Sequence, residues 1–168
     1  MTSSRSKRVA ALGVFLALAM ILSYVEALIP IPIGIPGIKL GLANSAVLVL
    51  LLTEKQKDAF LVSVVRIILS GLLFGNVFSL IYSLSGGVLS FMIMLLSLRI
   101  IKLHGITASI LGGVSHNIGQ IVAAFMILKS MAVLYYIPAL MVSGIITGAL
   151  IGIISNEIYK RIGGKLFK

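Results

Sequence analysis

Two stretches of this chain carry the residue types that chemistry needs. The first is Arg66, flanked at i−3 and i+4 by Ser63 and Ser70 in an otherwise apolar segment. The second is Ser115-His-Asn-Ile-Gly-Gln120, where Ser109, Gly112, His116, Gln120 and Ala123 form a small and polar stripe at helical spacing. A guanidinium in apolar surroundings favours an anionic partner, bidentate if that partner is a carboxylate or phosphate. Its other options are to snorkel to an interface, to pair with Glu26, or to bind carbonyls and water. His116 and Gln120, at i and i+4, are spaced to hydrogen-bond one ligand; the same stripe could instead join helices through hydrogen bonds. Asn117 lies between them. Lys39, Asn44, Asn76 and Ser85 are polar positions predicted to lie toward one end of the same helices, where turn and packing roles compete with ligand contact. Together these eight residues (Lys39, Asn44, Arg66, Asn76, Ser85, His116, Asn117 and Gln120) make the candidate substrate-binding set. They predict a cavity of net positive lining that opens on the outer side.

The missing chemistry is equally informative. Four acidic residues are scattered along 168, so no carboxylate cluster is expected to hold magnesium and a diphosphate. There is no cysteine, and the second histidine, His104, lies at a helix end, which leaves no metal set. No phosphate-cradling glycine–lysine loop and no Ser/His/Asp constellation is present. The expectation is a protein that is not an enzyme and has neither cofactor nor metal.

The elements that must position these residues are hydrophobic helices. The chain is 60% hydrophobic and 11% charged, too apolar for a water-facing domain of this length. Its apolar runs reach the roughly 20 residues that cross a hydrocarbon core of about 30 Å, and they lack the strict alternation of a membrane barrel. The fold class is therefore an all-α integral membrane protein in one domain over 1–168. Six transmembrane helices are expected, in a compact bundle, at about 9–29, 40–52, 59–74, 80–101, 106–128 and 133–159. Between the first two lies Pro30-Ile-Pro-Ile-Gly-Ile-Pro-Gly-Ile-Lys39, too rich in proline for a helix yet apolar. It is expected to close over the cavity.

A net charge of +10 raises the question of nucleic acid. The basic residues stand at helix ends and do not cover a face, so no nucleic acid is expected, and the bilayer is the partner. With both termini in the cytoplasm, eleven Lys and Arg fall inside and two, Lys39 and Lys129, outside, with Arg66 in the membrane. That split obeys the positive-inside rule. No cleavage site follows the basic start, so the first helix is expected to remain. Two helices carry small residues at four-residue spacing, Gly13 and Ala17 in the first and Gly144, Gly148 and Gly152 in the last. Such stripes let helices approach closely, within the bundle or with a partner.

Several runs carry a family resemblance: Pro36-Gly-Ile-Lys-Leu-Gly-Leu-Ala-Asn44, Arg66 with Leu73-Phe-Gly-Asn76, Tyr82-Ser-Leu-Ser-Gly-Gly87 and Ser115-His-Asn-Ile-Gly-Gln120. They resemble the Gx transporter family, long labelled heptaprenyl diphosphate synthase component I, over nearly the whole chain. That family in turn is similar to the S components of energy-coupling-factor (ECF) transporters. The resemblance implies a six-helix subunit of a prokaryotic cell membrane that captures a small molecule from outside. That molecule would be a vitamin-like, isoprenoid or flavin-related substrate. It also implies a transmembrane coupling subunit with two ATPase subunits, docked on the first helix, where Gly13-x-x-x-Ala17 is the nearest match to that family's Ala-x-x-x-Ala. The synthase label implies a different role, a non-catalytic membrane subunit beside a soluble prenyltransferase. A scaffold for a quinone or redox complex is a third.

Overall fold

A computed structural model describes residues 2–28 and 41–162 of the chain. Six α-helices are present: α1 (Thr2–Leu28), α2 (Asn44–Leu52), α3 (Gln56–Phe74), α4 (Val77–Arg99), α5 (Gly105–Leu128) and α6 (Ile137–Ile162). A 3-10 segment, Met131–Tyr136, leads into α6, and Pro138 falls in the first turn of α6, where its missing N–H costs nothing. The proline-rich run expected to cover the cavity lies outside the described residues.

Local chemistry sets the boundaries. Asn76 is extended, and its side chain accepts from the Ser79 N–H at 2.8 Å, capping α4. The cap starts α4 before residue 80, where hydropathy alone begins it. α5 ends at Lys129, whose left-handed backbone (φ 48°) turns the chain toward the 3-10 segment. α1 starts well before residue 9, because nothing in Thr2–Arg8 breaks a helix.

Among the described residues, four segments are long and apolar enough to cross a membrane: Arg5–Leu28 in α1, Val77–Arg99 in α4, Gly105–Leu128 in α5, and Met131–Ile162, which joins the 3-10 segment to α6. The outward faces agree: Val14, Leu18 and Ile21 of α1, Val88 and Met92 of α4, and Ile146, Leu150 and Ile153 of α6 are all exposed. Such a surface suits lipid and would aggregate in water. The protein is a multi-pass α-helical membrane protein.

α2 and α3 are different. α3 carries Lys57, Asp58 and Arg66. α2 has nine residues, about 13.5 Å at 1.5 Å per residue, or half the hydrocarbon thickness. Ser45 through Leu51 are all buried, so α2 is enclosed by protein on every side. It packs with Phe15 and Ala19 of α1, Ala59 and Val62 of α3, and Phe91 and Met94 of α4 to form the main apolar core.

Polar contacts orient the bundle. Arg8 grips Asp58 through two nitrogens, with Nε 3.1 Å from Oδ2. Arg99 reaches Glu54 at 2.8 Å and donates to the Leu51 carbonyl at 2.7 Å, satisfying the C-terminal end of α2. Gly105 lies against Leu52 and Asn156. The start of α1, the α2–α3 turn, the α4–α5 junction and the end of α6 therefore share one end of the molecule. Every basic residue of the described chain except Arg66 and Lys129 belongs to that end. The helices thus gather these basic residues at one end of the bundle.

The tightest packing joins α5 to its neighbours. A methyl built on Gly144 would lie 2.9 Å from the Gly113 carbonyl oxygen, one on Gly148 2.7 Å from the Ile110 Cα, and one on Gly152 2.8 Å from the Ile106 Cα. The α6 stripe therefore packs inside the bundle, backbone against backbone. On the other side of α5, Gly119 meets Gly86 of α4 in the same way.

Candidate functional site

Burying a guanidinium in a helical bundle demands polar company. Arg66 is 9% exposed and lies about 15 Å along α3 from Gln56, near the mid-depth of the bundle. One of its terminal nitrogens donates to Asn44 Oδ1 at 2.9 Å, while Nε is buried with no hydrogen-bond partner. The short α2 makes this contact possible: its first residue, Asn44, begins at the level of Arg66 because the nine-residue helix is about half as long as the 19-residue α3 beside it.

Around this pair lies a cavity of about 60 Å³, to which all six helices contribute. Its lining includes Glu26 from α1, Gly41 and Asn44 at the entry to α2, and Arg66, Ile67 and Ser70 from α3. Ser83 of α4, Gly113, His116 and Asn117 of α5, and Thr147 of α6 complete it. The Glu26 carboxylate accepts from the Gly41 N–H, tying the far end of α1 to the start of α2. Gly41 takes φ 72°, a left-handed turn that suits glycine and delivers the chain from that contact into α2. Asn117 donates to the Leu140 carbonyl at 2.6 Å, fixing α5 to α6 beside the cavity. Ser70 and Thr147 hydroxyls bond the carbonyls of Ile67 and Ser143 in their own helices. The arrangement is a small polar chamber with room for a few waters or one compact polar group.

The sequence-derived set divides accordingly. Asn44, Arg66, His116 and Asn117 come together at the cavity. Lys39 lies outside the described residues. Asn76 is exposed and caps α4. Ser85 does not line the chamber; its carbonyl lies against Gly119 at the α4–α5 contact, and Ser83 faces the chamber instead. Gln120 is buried but lines a separate apolar cavity toward the other end of α5. Glu26, Ser83 and Thr147 belong to the chamber although the candidate set omitted them. Glu26 matters most, because it places a carboxylate in a lining expected to be positive. Its signal was an acid inside an apolar run, and Thr147 stands out as the polar residue between Gly144 and Gly148 in the stripe that faces α5.

Gly13 and Ala17 are exposed on α1, and a methyl built on Gly13 meets nothing within 4 Å. Among the described residues no three His, Cys, Asp or Glu side chains are grouped to hold a metal ion.

The fold and the chamber define a class: a multi-pass helical membrane protein with a buried polar chamber built around one arginine. A family model described as heptaprenyl diphosphate synthase component I matches residues 15–158. That range covers most of the chain and every chamber residue named above, and the protein belongs to this family. No curated protein and no solved structure matches it.

Proposed function

We propose that this protein is a substrate-capturing membrane subunit of the ECF type, which binds a small anion or anionic group from the outer side of a prokaryotic cell membrane. The observation that carries the reading is Arg66: buried, held by Asn44 on one nitrogen, and open on Nε in a chamber shared by all six helices. A cation buried at such cost has its use in a partner of opposite charge. Glu26 in the same lining moderates the site, so the chamber suits one anionic group and disfavours a polyanion. In this reading the bundle crosses the bilayer six times, with α2 as a half-depth span and both termini cytoplasmic. The exposed α1 face with Gly13 and Ala17 would dock a transmembrane coupling subunit that carries two ATPases. The subunit itself would be non-catalytic.

The family's printed description favours a second reading, a non-catalytic membrane component that assists a prenyl diphosphate synthase. A quinone or redox scaffold is a further variant of it. Affinity purification from native membranes separates these. Recovery of a coupling subunit and ATPases supports the first reading, and recovery of a soluble prenyltransferase or redox partners replaces it. Native mass spectrometry of the same sample should reveal an anionic ligand that is absent from Arg66→Ala.

A further inference from the structure

The second cavity, between α4, α5, the 3-10 segment and α6, has a volume of about 170 Å³. Its walls include Tyr82, Gln120, Ala124, Leu128, Tyr136 and Leu140. All of these are apolar or aromatic except Gln120. Gln120 is 6% exposed, and its carboxamide oxygen is buried with no hydrogen-bond partner. A buried acceptor left without a donor is destabilising, and a donor that reaches it is favoured. Nothing in the chamber around Arg66 relieves it, because Gln120 does not reach that lining. We propose that this cavity is a second binding site, for a single hydrocarbon chain ending in a hydroxyl group, with the hydroxyl donating to Gln120.

Three observations define the ligand. The walls contain no charged side chain, so a carboxylate, phosphate or ammonium head would be buried without a counter-ion; the donor must be neutral. The volume is close to that of an engineered apolar cavity of about 150 Å³ that accepts one benzene, so it admits one chain end and excludes a two-chain lipid. Leu128 is 57% and Tyr136 38% exposed, which opens the cavity on the perimeter that faces the bilayer. A chain can therefore enter from lipid with its hydroxyl leading and its tail trailing outward.

The test uses the full chain in phosphatidylcholine nanodiscs and a diazirine-bearing octanol as photoprobe. The expected labels fall on the peptides containing Tyr82 and Tyr136, and 1-octanol should displace them about tenfold better than octane does. Gln120→Leu should abolish that preference, while a polar ligand retained at Arg66 stays bound. Gln120→Met, closer in shape, repeats the test if the leucine variant does not fold. Labelling spread over the exposed side chains of α1 and indifferent to octanol would mean partition into surrounding lipid, and would overturn the site. Equal displacement by octane and octanol, unchanged in both variants, would overturn the role of the hydroxyl.

Discussion

α1 and α6 both carry small residues four apart, yet the bundle uses them in opposite ways. Gly144, Gly148 and Gly152 press α6 backbone onto α5 at distances no side chain could share. Gly13 has open space where a side chain would go, and Ala17 beside it is exposed. The sequence pattern is the same; what differs is whether a neighbour within the chain occupies the groove. A stripe of small residues therefore marks a place of close approach without naming the partner. In α6 the partner is α5; in α1 no described residue takes that place.

The sharpest way to break this comparison is Gly148→Leu. Its side chain would have to enter the Ile110 backbone, and overpacking of that kind forces α5 and α6 apart. Loss of the monodisperse protein in size-exclusion chromatography is expected, and a well-behaved Gly148→Leu protein would show that the α5–α6 contact is softer than described. Next is Arg66→Ala, which removes the chamber's cation. Affinity for an anionic ligand should fall by roughly 2–5 kcal/mol, about 30-fold or more, as read by isothermal titration or native mass spectrometry. Arg66→Lys should also weaken binding where the contact is bidentate. Unchanged affinity in a folded Arg66→Ala protein removes the anion from the proposal.

The α1 stripe is tested by Gly13→Leu combined with Ala17→Leu. On the isolated protein the expected effect is small, with unaltered elution and ligand affinity, because Gly13 and Ala17 are exposed and a methyl on Gly13 meets no described residue. In membranes, the double variant should fail to co-purify with a coupling subunit and fail to transport. Misfolding of the isolated variant would place this face inside the bundle and end the contrast with α6. The smallest effect belongs to Arg8→Ala. The Arg8 side chain is 55% exposed in its pair with Asp58, so water that takes its place can reach the carboxylate and the loss is small. A slight fall in apparent Tm, reduced further at high salt, is the expected result.

Much of the architecture is legible in the sequence because a bilayer leaves few solutions. A long apolar run must be a helix, and a lone arginine within it must turn inward. Of the residues picked out that way, Asn44, Arg66, His116 and Asn117 share one chamber. That logic fails where helical geometry is finer than the stripe used to read it. Gln120 shares a face with His116 at i+4, but four residues advance a helix about 6 Å and rotate it by about 40°. That displacement is enough to put Gln120 in the neighbouring apolar cavity. Asn76 misled for another reason: a polar residue at a helix start looks the same whether it meets a ligand or caps a backbone. Ser83 and Ser85 are two apart and so point in different directions, and only packing against α5 decides which one faces the chamber. Glu26 was hidden by topology. Hydropathy puts it near the outer end of α1, and its approach to Gly41 and Arg66 depends on α2 stopping half-way.

The half-depth α2 also constrains how the protein is made. Nine residues are too few for the translocation machinery to release sideways into lipid as an independent span. α3, with an arginine near its centre, is a poor candidate for release alone. On the proposed six-span reading, both must enter the bilayer as a pair, or wait in the channel until α4 and α5 arrive to shield them. The chamber then forms last in biogenesis, when α6 closes onto α5 and brings Thr147 to face Arg66. Ribosome-stalled chains ending between α3 and α5 should remain beside the channel, whereas those extended past α6 should be free of it.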